Sequence, residues 1–88
     1  MNYTVVFSDR AVKSLKKLDR TVAKRIIAWI EKNLEGCDNP RSKGKGLIGD
    51  HGGEWRYRVG DYRILAEIRD NEILIYIIEI GHRRGIYK

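Results

Sequence analysis

The chain has 88 residues, with 18 Lys and Arg against 12 Asp and Glu, a net charge of +6 and one cysteine, Cys37. That length suits a single small domain, 1–88, with one hydrophobic centre, and one cysteine excludes an intrachain disulfide or a cysteine metal framework and fits a reducing compartment. The longest apolar run, 73–78, is far too short to span a bilayer and no leader-like stretch opens the chain, so a cytoplasmic protein with no membrane partner is expected. The positive excess suits a partner made of phosphates, or an acidic protein.

Asn2 to Phe7 is rich in β-branched and aromatic residues and is expected to form a short first strand. Ser8 or Asp9 then caps a helix whose apolar positions Ala11, Leu15 and Leu18 fall at helical spacing. Asp19-Arg20-Thr21 breaks the pattern, and a longer helix follows with Ala23, Ile26, Ile27, Ile30 and Leu34 on one stripe, ending at Gly36. Trp29 lies off that stripe. It either covers a helix edge or marks a contact surface for a partner.

Residues 37–53 hold Pro40, five glycines and the basic Arg41, Lys43 and Lys45, a long loop of the kind that tends to carry function. Its glycines do not make a phosphate-cradling motif, because Gly-Lys-Gly here has neither a preceding strand nor a following Ser or Thr. His51 in this loop reads as incidental.

Trp55-Arg56-Tyr57-Arg58-Val59 and Tyr62-Arg63-Ile64-Leu65 flank Gly60-Asp61, the pattern of a hairpin with a two-residue turn. Such a turn sets Val59 opposite Tyr62, Arg58 opposite Arg63, Tyr57 opposite Ile64 and Arg56 opposite Leu65. Alternation then places Trp55, Tyr57, Val59, Tyr62 and Ile64 on one face and Arg56, Arg58 and Arg63 on the other. Like charges directly opposite oppose folding, so this is where function is expected.

Asp70-Asn71 reads as a second two-residue turn, which would pair Ile64 with Ile77, Ala66 with Ile75 and Ile68 with Ile73, and set Leu74, Tyr76 and Ile78 beside Arg63, Leu65 and Glu67. The strand Ile73 to Ile80, apolar on both sides, should be central and lie next to the first strand. The expected fold is α+β, with a two-helix hairpin covering the apolar face of a four-stranded sheet and the arginine face left open. After Gly81, strict alternation would put His82 on the arginine face and Arg83 opposite, unless a bulge interrupts it.

Arginines converging from neighbouring strands and the tail, with tyrosines nearby, suit single-stranded RNA. Arg56, Arg58, Lys43, Lys45 and Arg84 are the candidate RNA-binding residues. Cleavage by a ribose 2′-hydroxyl would need phosphorane charge stabilised, which Arg56, Arg58, Arg63 and Arg83 could supply, and proton carriers, for which only His82, His51 and Tyr87 are at hand. No carboxylate or histidine cluster suggests a metal, and no cofactor is expected.

The order strand, two helices, basic loop, three-stranded meander and basic tail resembles the RelE/ParE toxin superfamily, and its RelE-like mRNA interferases in particular. The resemblance covers nearly the whole chain and is most specific in Leu47 to Val59, in Gly60-Asp61-Tyr62-Arg63, and in Gly81-His82-Arg83 with Ile86-Tyr87. It implies a toxin of a type II toxin-antitoxin system that enters the ribosomal A site, cuts mRNA without a metal and is neutralised by an acidic, RelB-like antitoxin. Such toxin-antitoxin complexes often bind their own promoter DNA. Carried over by position, Arg56 and Arg58 match the basic residues of the second strand, Arg63 the arginine after the hairpin, Arg83 the arginine after the last strand and Tyr87 the terminal tyrosine. This chain has arginine where relatives carry lysine on the second strand, and His82 where lysine is also seen. A ParE-like inhibitor of DNA gyrase, which does not need these arginines, and a simple RNA-binding module are the alternatives.

Overall fold

The computed structural model describes residues 2–46 and 54–82. Its elements are β1 (Thr4–Phe7), α1 (Asp9–Lys17), α2 (Arg20–Asn33), β2 (Lys45–Gly46), β3 (Glu54–Val59), β4 (Tyr62–Arg69) and β5 (Leu74–His82). They form the expected α+β arrangement, with the sheet ordered β1-β5-β4-β3-β2. β1 runs parallel to β5, and the other neighbouring pairs are antiparallel. β5 is therefore central and adjacent to β1, as its apolar character on both sides requires.

The sheet has five strands rather than four. The added strand is the two-residue β2, which pairs Lys45 with Arg56 and Gly46 with Trp55. Lysine and glycine have little strand preference, so the sequence carries no signal for it. It forms because the loop before it is pinned: the Trp55 Nε1 donates to the Lys43 carbonyl at 2.6 Å and the Tyr57 hydroxyl to the Pro40 carbonyl at 2.6 Å.

Helix α1 starts where expected. Ser8 is its N-cap, accepting the Ala11 N–H at 3.0 Å, while Asp9 in the first turn and Lys16 and Lys17 in the last complement the helix dipole. Asp19 caps α2 by accepting the Thr21 N–H at 3.0 Å. Gly36, at φ +78, turns the chain out of α2, and its N–H donates to the Tyr3 carbonyl, fastening the helix exit to the start of β1. Ile26, Ile30 and Leu34 join Ala11, Tyr57, Ile64, Ala66, Ile75, Ile77 and Ile80 in one buried cluster. Ile27 stays outside that cluster, whereas Trp29 packs on its edge, so the buried stripe is rotated towards Trp29.

The Gly60-Asp61 hairpin has the expected register throughout, from Val59 opposite Tyr62 to Arg56 opposite Leu65. Gly60 sits at φ +60, the left-handed conformation that a tight hairpin needs at its first central position. The second hairpin departs from expectation. Arg69 pairs with Leu74, and Ala66 with Ile77, a shift of two residues, because the connection is a 3-10 turn at Asp70–Glu72 followed by Ile73 at φ 52. Leu74 thus lies beside Arg69, and Tyr76 beside Glu67. A β-branched residue in that conformation is strained and unreadable from sequence preference. Ile73 is held there from both sides, its N–H donating to the Asp70 carbonyl and its own carbonyl accepting from Thr4.

Because the shift is even, the apolar face survives it. An odd shift follows between Leu65 and Ala66, where Ile78 is the extra residue: Ile64 faces Ile80, Arg63 faces Gly81 and Tyr62 faces His82. Burial switches accordingly from Ile75 and Ile77 to Ile80. The Ser8 hydroxyl meets this bulge, donating to the Ile78 carbonyl at 2.7 Å while its backbone N–H donates to Ile77.

Ser8 thus serves a helix cap and a sheet bulge with one hydroxyl. Ser8→Ala removes both bonds and should lower stability by about 1–3 kcal/mol in urea unfolding, against under about 0.5 kcal/mol for an exposed control such as Lys13→Ala.

Candidate functional site

Three of the sequence-predicted residues are brought together by the β3–β4 hairpin. Arg58 and Arg63 are directly opposite, Arg56 is two positions along on the same face, and Arg63 in turn faces Gly81, which has no side chain to crowd it. Arg56 and Arg63 are half-buried and Arg58 is exposed, its Nε donating to the Gly60 carbonyl at 3.3 Å. Register therefore builds a cationic patch at the turn end of the hairpin.

The other end of this face is different. Glu67 lies opposite Glu54, and the Arg69 guanidinium binds Glu67 at 2.8 Å while lying 4.7 Å from the Tyr76 ring centre. Positive charge is balanced there, which confines the cationic patch to the region of Arg56, Arg58 and Arg63.

A cleft of about 440 Å³ opens at the free part of the β3 edge, lined by Trp29, Lys43, Gly44, Lys45, Arg56, Tyr57, Arg58 and Arg63. Five of these side chains are cationic and none is acidic. The loop lysines Lys43 and Lys45, expected as RNA-binding residues, thus sit with the hairpin arginines. Trp29 and Tyr57 supply an aromatic wall, their ring centres 5.8 Å apart and their planes tilted by 53°. Sequence reasoning left Trp29 open between edge cover and a contact surface for a partner; it covers the edge of the core and also lines the cleft. Its position at the margin of the apolar stripe was the available signal.

The loop is carried by a clamp. Arg41 grips Asp70 through two bonds of 3.0 Å, and the Tyr3 hydroxyl donates to the same carboxylate at 2.8 Å. The Arg41 guanidinium also stands 6.0 Å from the centre of the Trp55 ring. These contacts hold the chain at Pro40–Ser42 against the β4–β5 turn and present Lys43 and Lys45 to the cleft. Gly44 passes so close to β3 that an added Cβ would collide with the Arg56 carbonyl and the rings of Trp55 and Tyr57, and its φ of +78 adds strain for any other residue.

Burial pushes the Tyr57 hydroxyl well above the usual phenol range, so it stays protonated as a donor to Pro40 and is no proton acceptor for the cleft. Burial also raises the Cys37 thiol, leaving it a poor nucleophile. His82 is exposed, and the bulge sets it opposite Tyr62 with an edge-on ring contact of 5.5 Å, on the face away from Arg63. Strict alternation had pointed it to the arginine face. Arg83, Arg84, Tyr87 and His51 lie outside the described residues. Among the described residues no group of His, Cys, Asp and Glu could hold a metal, and no helix is long and apolar enough to cross a membrane.

Two helices over one face of a mixed sheet are the fold of a class of small toxins, and here that fold carries a cationic cleft at the hairpin edge. Residues 5–87 match the family described as the ParE toxin of type II toxin-antitoxin systems, and the chain belongs to that family. It is 31% identical over 88 residues to Toxin RelG of Mycobacterium tuberculosis, covering 100% of this chain and 99% of that one. It is 27% identical over 83 residues to the mRNA interferase toxin RelE of Escherichia coli, covering 94% and 85% of the two chains. Among solved structures, a chain of the RelBE2 toxin-antitoxin complex of Mycobacterium tuberculosis superposes with a TM-score of 0.82 at 29% identity, covering 94% of this chain and 93% of its own. A chain of the RelB-RelE antitoxin-toxin complex of Methanococcus jannaschii gives 0.71 at 31%, with coverages of 94% and 95%. The chain is a toxin of the RelE type.

Two expectations follow from the clamp. Gly44→Ala should lower stability by more than about 1 kcal/mol in urea unfolding and displace Lys43 and Lys45, seen as changed amide chemical shifts over 40–46. The Arg41 guanidinium first, and the Tyr3 hydroxyl second, hold the Asp70 carboxyl below its ordinary value of 3.8. Its stabilising effect is therefore present above that value and is lost as pH falls below it through the lower folded-state value. Asp70→Asn should flatten the acid limb of stability against pH, read as the thermal midpoint between about pH 5 and pH 2.

Proposed function

We propose that this toxin is a ribosome-dependent endoribonuclease that inhibits translation by cutting mRNA in the A site. The observation that carries the reading is the cleft in which Lys43, Lys45, Arg56, Arg58 and Arg63 converge with no acidic side chain among them. A cleft of that composition is suited to a phosphodiester, and arginine forks can hold the charge that builds on phosphorus. In the proposed reaction the ribose 2′-hydroxyl oxygen bonds to the adjacent phosphorus as the bond to the 5′-oxygen breaks. The hydroxyl loses its proton and the departing 5′-oxygen gains one. Arg63 and Arg83 stabilise the phosphorane, Arg56 and Arg58, with Lys43, Lys45 and Arg84, hold flanking phosphates, and Tyr87 orients the scissile nucleotide or assists the hydroxyl. His82, set opposite Tyr62 on the face away from Arg63, is given no step, and Tyr87 is the candidate proton carrier. No metal or cofactor enters this scheme. Since arginine stays charged throughout, orientation of the message by the ribosome supplies much of the rate.

The partners that follow are an acidic antitoxin, the ribosome and mRNA, with promoter DNA reached through the antitoxin complex, all in the cytoplasm. The names of the relatives RelG and RelE, one of them an mRNA interferase, support the nuclease reading. The family description, which is that of ParE, favours a second one, inhibition of DNA gyrase by binding.

Induction followed by primer extension separates them. Codon-phased cuts in mRNA are expected, whereas intact message with DNA damage would establish the gyrase reading instead. Arg63→Ala and Arg83→Ala should each reduce cleavage by about a hundredfold or more and relieve growth arrest while antitoxin binding persists. Full toxicity in both variants would remove the proposed site.

A further inference from the structure

The cationic cleft does not end at its aromatic wall. On the far side of Trp29 lies a second cleft of about 510 Å³, lined by Arg25, Ala28, Trp29, Lys32, Asn33 and Val59. Trp29 lines both, and Val59 follows Arg58 directly in β3, so the two clefts adjoin at one indole. Along α2 the residues Arg25, Trp29 and Lys32 are spaced i, i+4 and i+7, which stacks them on one helical face with the ring between the two cations. Arg25 and Lys32 are exposed, Trp29 is half-buried with Tyr57 against it, and no acidic side chain lines this cleft either. The Asn33 amide is turned back onto the helix, donating to the Trp29 carbonyl at 2.9 Å.

We propose that this face of α2 is a second subsite for single-stranded RNA, continuing the cationic cleft, with a base stacked on Trp29 and phosphates on Arg25 and Lys32. The proposal rests on the reading of the first cleft as an RNA site and extends it to nucleotides beyond the scissile phosphate. An acidic protein would be drawn by the same charge. The alternation of cation, aromatic ring and cation matches the repeat of phosphate and base in a single strand, and its continuity with the arginine cleft gives that strand a path.

The test measures binding of two oligoribonucleotides that carry 2′-O-methyl groups throughout and so cannot be cut by a 2′-hydroxyl, one a trimer and one an octamer. The Arg25→Ala/Lys32→Ala double variant, which leaves the core untouched, should bind the trimer as the parent does. It should bind the octamer about 5- to 30-fold more weakly, with the slope of log affinity against log salt reduced by about 1.4, from two phosphates at about 0.7 each. Trp29→Ala should weaken octamer binding by a similar factor and Trp29→Phe should restore most of it, which a purely structural role for the indole would not produce in proteins matched for thermal stability. Unchanged octamer affinity and salt slope in the double variant would overturn the subsite. So would equal losses on trimer and octamer. Loss of polyglutamate binding with oligonucleotide binding intact would assign the face to an acidic protein and also overturn it. Trimer binding that survives Arg58→Ala/Arg63→Ala would instead count against the first cleft, so the two failures are distinguishable.

Discussion

The register of the β3–β4 hairpin is the constraint from which the site follows. A two-residue turn with Gly60 in the left-handed region leaves one pairing, and that pairing sends Tyr57 and Ile64 into the core and Arg56, Arg58 and Arg63 out of it. A slip by one residue would turn the arginines towards the helices and the apolar residues towards water, so the core enforces the cationic patch. The repulsion between Arg58 and Arg63, up to about 1 kcal/mol for a directly opposed pair, is small beside the burial of a residue such as Ile64, worth about 1.5–3 kcal/mol. The fold tolerates the cluster because its hydrophobic reverse side outweighs it.

The remaining walls of the site come from segments far away in sequence. The basic loop is held by hydrogen bonds from Trp55 and Tyr57 on β3 and by Asp70 in the β4–β5 turn, which also accepts from Tyr3. α2 adds Trp29, whose packing on Tyr57 couples the helix layer to the cleft. Core and cleft thus share residues. Tyr57 is at once the largest of the fully buried side chains among the described residues, a wall of the cleft and the anchor of the loop through Pro40.

Where hydrophobic periodicity and turn chemistry agreed, the sequence was legible: both helices, the start of the first at Ser8 or Asp9, the break at Asp19, the exit at Gly36, the first hairpin and the central place of the last strand. What escaped depended on tertiary contacts. β2 exists because side chains of β3 capture its loop. The Asp70-Asn71 turn is displaced because Asp70 spends its carboxylate on Arg41 and Tyr3, and because Ile73 adopts a conformation that its side chain disfavours. The bulge at Ile78 is coupled to a hydroxyl seventy positions away in the chain. It also decides the side on which His82 falls, and alternation alone had that side reversed. In the site, the grouping of the three hairpin arginines was readable from pairing parity, whereas the addition of Lys43 and Lys45 required the folded loop.

The place of β5 has a consequence for biosynthesis. The interior strand β5 is the last described element to leave the ribosome, and until it inserts between β1 and β4 the first strand shares no ladder with the rest of the sheet. Ser8 has no bulge to meet and Asp70 no β5 to turn into. The pairings that close the fold join the two ends of the described chain, a topology in which assembly waits on distant contacts. Every residue that lines the arginine cleft is made before β5, yet the sheet that backs the cleft closes only when β5 arrives.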